Sequence, residues 1–124
     1  MLRGIRGAIT VENNTVEEVR TSTIEMVKEI LLQNEIDIKN IACATFTMTK
    51  DLDCAYPAKF AREIEGFEQV PLMCYQELDI QNSLKKCIRT LILVNTDKSQ
   101  DEIKHVYLNN AKNLRPDLNN QIFG

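Results

Sequence analysis

An α/β domain built on one mixed sheet is the fold class that two features of the sequence predict. Runs of β-branched and aliphatic residues, among them I-A-C-A-T-F-T-M at 41–48 and C-I-R-T-L-I-L-V at 87–94, have the composition and length of strands. Between such runs lie segments with helix-start signals or helical spacing, in the order β, α, β, α, β, β, α. The 124 residues, 44% apolar and 27% charged, make one domain (1–124) with a modest core.

Each element has its own justification. R-G-I-R-G-A-I-T-V at 3–11 reads as the first strand, ended by the polar pair Asn13–Asn14. Thr15 followed by Glu18 is a capping box, and the stripe Val16, Val19, Thr23, Met26, Ile30 predicts a helix over 16–34. Pro57 suits the first turn of a helix ending near Gly66. V-P-L-M-C-Y-Q-E-L at 70–78 is extended and is followed by the 87–94 strand. Ser99 with Glu102 is a second capping box, predicting a helix whose apolar stripe is Ile103, Val106 and Tyr107. From about residue 113 the pattern fades and Pro116 intervenes, so the tail reads as irregular and mobile. A sheet of about four or five strands leaves one face to cover, which predicts self-association.

Composition narrows the function. A net charge of −3 supplies no positive field for nucleic acid or anionic membrane, and no run approaches the length of a membrane span. Cys43, Cys54, Cys74 and Cys87 form no C-x-x-C pair, and the N-terminus lacks an apolar signal region. The expectation is a cytoplasmic protein with reduced thiols and no metal. Dinucleotide, P-loop, zinc-protease and nucleophile-elbow motifs do not occur. His105, between Lys104 and Val106 in the expected helix, reads as a solvated surface residue.

What stands out is cations among apolar residues. Arg89 shares a strand face with Cys87, Leu91 and Leu93, and a guanidinium there requires an anionic partner. Glu77, at the end of the preceding strand, is the carboxylate candidate. Arg6 lies in the first strand, Lys59 and Arg62 one turn apart on the middle helix, and Arg115 in the tail. The last three also read as ordinary surface cations. An arginine-rich pocket with one carboxylate and a tyrosine suits a small, multiply charged carboxylic acid.

The blocks R-G-I-R-G-A-I-T-V-E, Y-P-A-K-F-A-R-E, P-L-M-C-Y-Q-E-L-D, L-K-K-C-I-R, H-V-Y-L and L-R-P-D-L, spread from about residue 3 to 118, resemble the small trimeric α/β class of chorismate mutase. The resemblance implies a pseudo-α/β-barrel homotrimer with sites between subunits. It also implies rearrangement of chorismate to prephenate, the committed step toward phenylalanine and tyrosine, without cofactor, metal or covalent intermediate. Carried over by position, Arg89 would donate to the ether oxygen and a carboxylate, and Arg6 and Tyr107 would hold the enolpyruvyl carboxylate. Glu77 and Cys74 would meet the ring hydroxyl and the positive charge developing on the ring. Tyr56, Ala58, Lys59, Leu72, Met73 and Leu114 would line the pocket, with Arg62 and Arg115 near its mouth. Tyr56 departs from the family's usual Phe and adds a hydroxyl there. Cys74 and Glu77 have opposite parity and fall on opposite faces of a regular strand, so one strand would serve two sites. A non-catalytic trimeric module that binds a carboxylate for regulation would use the same arginines. Glu77 favours the enzyme, since an anion receptor gains nothing from an added negative charge.

Overall fold

The computed structural model describes residues 1–114. Five strands, β1 (Leu2–Thr10), β2 (Ile41–Met48), β3 (Leu72–Gln76), β4 (Cys87–Asn95) and β5 (Val106–Leu108), form one sheet in the order β3-β2-β4-β1-β5. The central strand β4 is antiparallel to both β1 and β2, whereas β3 pairs parallel with β2 and β5 parallel with β1. Helices α1 (Val16–Gln33) and α2 (Pro57–Ala61) join the strands, and short 3₁₀ turns complete the connections.

The core lies on one face of the sheet. Period-2 alternation sends Ile5, Ile9, Ala44, Phe46, Ile88 and Ile92 to that face, where Val19, Met26, Val27 and Ile30 of α1 meet them. Each large aliphatic side chain so buried contributes about 1.5–3 kcal/mol. Val16, the first residue of the expected stripe, is exposed instead. Gly7 lets α1 approach closely, because a Cβ there would stand 2.6 Å from Ile30 Cδ1 and 3.1 Å from Thr90 Cγ2.

The caps follow the sequence with adjustments. Thr15 Oγ1 accepts from the Glu18 N–H at 3.2 Å, as a capping box requires. The Glu18 carboxylate reaches back to the N–H groups of Glu12 and Asn13, both at 3.0 Å, instead of to Thr15. Those bonds, the one from Asn13 foremost, hold the Glu18 carboxyl below the usual range. At the other end Asn34 ties α1 to the approach to β5. Its amide donates to the carbonyls of Ile30 and Lys104, at 3.0 and 2.8 Å, and its oxygen accepts from the Lys104 N–H at 2.7 Å.

Three boundaries differ from the sequence reading. Helix α2 ends at Ala61 rather than near Gly66, and β3 spans Leu72–Gln76 rather than 70–78. The third correction changes an element's type. After Ser99 the chain makes only a 3₁₀ turn, Gln100–Glu102, and then runs extended into β5. Glu102 does accept from the Ser99 N–H at 2.7 Å, so the box signal is real, but it starts a single turn. Val106 and Tyr107 are both buried because they point to opposite faces of a strand covered on each side, which imitates a helical stripe.

Thr23 is fully buried in α1, and its hydroxyl has no hydrogen-bond partner among the described residues. Removing an unsatisfied hydroxyl removes its desolvation cost. Thr23→Val is therefore expected to raise the unfolding free energy by about 1 kcal/mol. Urea denaturation measures this, and a destabilised variant would show that the hydroxyl has a partner after all.

Candidate active site

The other face of the sheet carries Arg6 and Arg89. The register aligns Tyr107, Ala8, Arg89, Thr47 and Tyr75 in one row across β5, β1, β4, β2 and β3. The next row aligns Arg6, Leu91, Thr45 and Met73. Met73, Tyr75 and Leu91 are exposed on this face, in contrast to the residues one step away that fill the core. A groove of about 520 Å³ runs along it, lined by Arg6, Thr45, Thr47, Arg89, Leu91 and His105 among others.

The start of β4 is fixed from below. Lys86, at φ 50°, gives its N–H to the Asp51 carboxylate at 3.0–3.1 Å. Thr49 Oγ1 donates to Asp51 Oδ1 at 2.6 Å and accepts from the Cys87 N–H at 3.0 Å. Arg89 emerges two residues later. Beside it a small cluster of Ala8, Cys87, Tyr107 and Ala111, flanked by Leu84 and Leu114, floors this end of the face. Burial pushes the Cys87 thiol up to about 11, with the Arg89 charge pulling the other way, so the thiol is neutral at physiological pH.

Arg89 meets the carboxylate its position demanded. Its Nε lies 3.1 Å from Glu77 Oε1, with the Glu77 side chain 13% exposed and the Arg89 side chain 39% exposed. The buried Nε–H is not directed at that oxygen, so the contact is an ion pair without an aligned hydrogen bond. Thr47 Oγ1 supplies the aligned bond, donating to the same Glu77 Oε1 at 2.8 Å. The guanidinium is thus compensated at one edge while part of it still faces the groove.

Arg6 is exposed on the same face, and its backbone N–H donates to His105 Nδ1 at 2.9 Å. That bond makes Nδ1 the acceptor and places the proton of a neutral ring on Nε2. His105 is therefore neither helical nor merely solvated, and it holds the approach to β5 against β1. Tyr107 is buried and stands two strands from Arg89, about 10 Å at ordinary strand spacing, with Leu114 packed on its cluster.

The remaining expected site residues lie elsewhere. Leu72 and Cys74 turn toward the core side of β3, half-buried, while Met73 turns to the open face. Cys74 borders a second groove of about 380 Å³ with Tyr56, Pro57 and Glu77. Ala58 is buried in the core, and Lys59 and Arg62 are exposed on and just after α2, with Lys59 Nζ 5.9 Å from the Phe60 ring centroid. Arg115 lies outside the described residues. One chain thus brings Arg6, Glu77, Arg89 and Tyr107 onto one face, and Tyr56, Lys59, Arg62 and Cys74 to the α2 side. Of the first group Glu77 alone borders the groove at Tyr56 and Cys74, and Arg6, Arg89 and Tyr107 do not.

Sequence reasoning passed over Thr47. The alternation T-F-T in β2 was its signal, since polar residues on the non-core face of a central strand have something to bind. Among the described residues, no three His, Cys, Asp or Glu side chains stand where they could hold a metal ion, and no helix is long and apolar enough to cross a membrane.

Comparison with known proteins fits this arrangement. A sequence profile described as "Chorismate mutase type I" matches residues 2–118. The chain is 44% identical over 118 residues to chorismate mutase AroH of Bacillus subtilis (strain 168), covering 95% of this chain and 93% of that one. It is 47% identical over 119 residues to chorismate mutase AroH of Thermus thermophilus, covering 95% and 97%. A solved chorismate mutase from Clostridium thermocellum superposes with a TM-score of 0.85 at 48% identity, covering 88% of this chain and 96% of that chain. With a matching profile over nearly its whole length and relatives at this identity, the chain belongs to the type I chorismate mutase family.

Proposed function

We propose that this protein is a cytoplasmic, homotrimeric chorismate mutase that converts chorismate to prephenate in phenylalanine and tyrosine biosynthesis. The reaction is a unimolecular pericyclic rearrangement. It needs the flexible dianion held in a chair-like conformation and negative charge stabilised on the ether oxygen as the C–O bond breaks. A gain of about a millionfold corresponds to roughly 8 kcal/mol.

The observation that carries the reading is the half-open Arg89–Glu77 pair at the groove. Arg89 keeps donors for the ether oxygen and a substrate carboxylate, while Glu77 opposes the positive charge that develops on the ring. Arg6 and Tyr107 take the enolpyruvyl carboxylate. Cys74 with Tyr56, Ala58, Lys59, Leu72, Met73 and Leu114 close the pocket, and Arg62 and Arg115 supply cations at its mouth. The apolar side chains exposed on the open face support the trimer, because a neighbouring subunit would bury them. That subunit would cover the exposed Met73, Tyr75 and Leu91 and bring its own α2-side group to these arginines.

The test is loss of chorismate absorbance with the purified protein. Turnover is expected without any additive and unchanged by EDTA, with prephenate as the product. A requirement for metal or nucleotide would overturn the mechanism. Tight chorismate binding without turnover would instead mark a regulatory module.

A further inference from the structure

We propose that Thr47 is the positioning residue that orients the Glu77 carboxylate for the reaction. The inference rests on the reading of Glu77 as the carboxylate that faces the substrate ring.

Glu77 follows the last residue of β3, so the sheet ladder does not fix its backbone as it fixes Arg89 in β4. Something else must set the rotation of its carboxylate. The ion pair with Arg89 does not, because the Nε–H is not directed at the oxygen 3.1 Å away. Among the described residues the only aligned hydrogen bond to this carboxylate is the one from Thr47 Oγ1, at 2.8 Å. Thr47 itself is well placed to act as a fixed donor. It sits within β2, its Cα paired with Arg89 on one side and with Tyr75 on the other, and its β-branched side chain has few rotamers.

Both partners converge on Oε1. Oε2 therefore has no hydrogen-bond partner among the described residues and is the oxygen left to meet the substrate's ring hydroxyl and the charge developing beside it. Without the hydroxyl the carboxylate can rotate about its terminal torsion, which is broad and roughly two-fold. The loss falls on an interaction that strengthens in the transition state, so it appears in kcat more than in KM.

The experiment compares Thr47→Val, which keeps shape and strand propensity but removes the donor, with Thr47→Ser, which keeps the donor. Each is made in the wild-type and Glu77→Gln backgrounds, with kcat, KM and the thermal midpoint measured. Thr47→Val is expected to lower kcat about ten- to hundredfold, the range for a lost bond to a charged group, with KM changed less than about threefold. Thr47→Ser should stay within about threefold of wild type, and Thr47→Val should cost little further in the Glu77→Gln background, because its partner has already lost its charge. Should the valine variant fold poorly, Thr47→Ala is judged by the same split.

Wild-type kcat in Thr47→Val, equal damage from Thr47→Ser, or losses that multiply with Glu77→Gln would each overturn the proposal. If Glu77→Gln itself turns over like wild type, the reading of Glu77 fails. If Glu77→Gln is impaired but Thr47→Val is not, only the role of Thr47 falls.

Discussion

Arg89→Lys is expected to leave the fold intact and lower kcat by about a thousandfold or more, equivalent to at least roughly 4 kcal/mol in the transition state. The fold should persist because Arg89 stands on the open face, outside the main apolar core, and a lysine still places a positive charge near Glu77. Catalysis should not persist. The guanidinium is a planar fork that can meet Glu77 along one edge while presenting further N–H donors to the ether oxygen and a carboxylate. A lysine ammonium is a compact point charge on a flexible stem and cannot hold those geometries at once. In the proposed role the interaction with the ether oxygen would grow as the bond breaks, so its loss would lower kcat and kcat/KM together. Steady-state kinetics with chorismate and a circular dichroism spectrum decide the matter. A variant within tenfold of wild type would remove Arg89 from the proposed role.

The sequence made Arg89 conspicuous because a charged residue in an apolar strand needs a reason, and the reason it suggested, Glu77, is the partner observed. Strand β2 was legible from its run of β-branched and aliphatic residues, while the alternation that puts Thr47 on the open face went unread. β1 and β4 were legible as extended runs, each to within one residue of its observed ends. Where reading failed, the deciding contacts were distant. β5 is three residues long and exists because β1, about a hundred residues earlier, offers it an edge, and because Asn34 holds Lys104 from the end of α1. Nothing within H-V-Y-L announces either partner, and the capping box at Ser99 pointed toward a helix that tertiary pairing overrides. His105 was misread for the same reason. Its role depends on the backbone N–H of Arg6, a neighbour only in three dimensions.

The opposite parity of Cys74 and Glu77 leads to the second large expected effect. Cys74 turns to the core side of β3, beside the groove at Tyr56, while Glu77 turns to Arg89 on the open face. If a complete site takes its Cys74 side from one subunit and its Arg89 side from the next, two dead variants should rescue each other. Arg89→Ala removes one half, and Cys74→Trp, with an indole at the edge of that groove, blocks the other. Each refolded alone should be inactive, with circular dichroism confirming that both fold. Denatured, mixed equally and refolded, they should recover activity. In a cyclic trimer each mixed ring has three interfaces, and one of them joins the two intact halves. Random assembly makes about three quarters of rings mixed, so about a quarter of all sites should work, by the same symmetry. Recovery near that level, scaled to wild-type protein refolded in parallel, is the expected result. A mixture as inactive as its components, with the wild-type control restored, would mean that every subunit carries a complete site of its own. Arg6 and Arg89, which line a different groove from Cys74 and Tyr56 within one chain, would then have to meet them by a movement of β3 and α2.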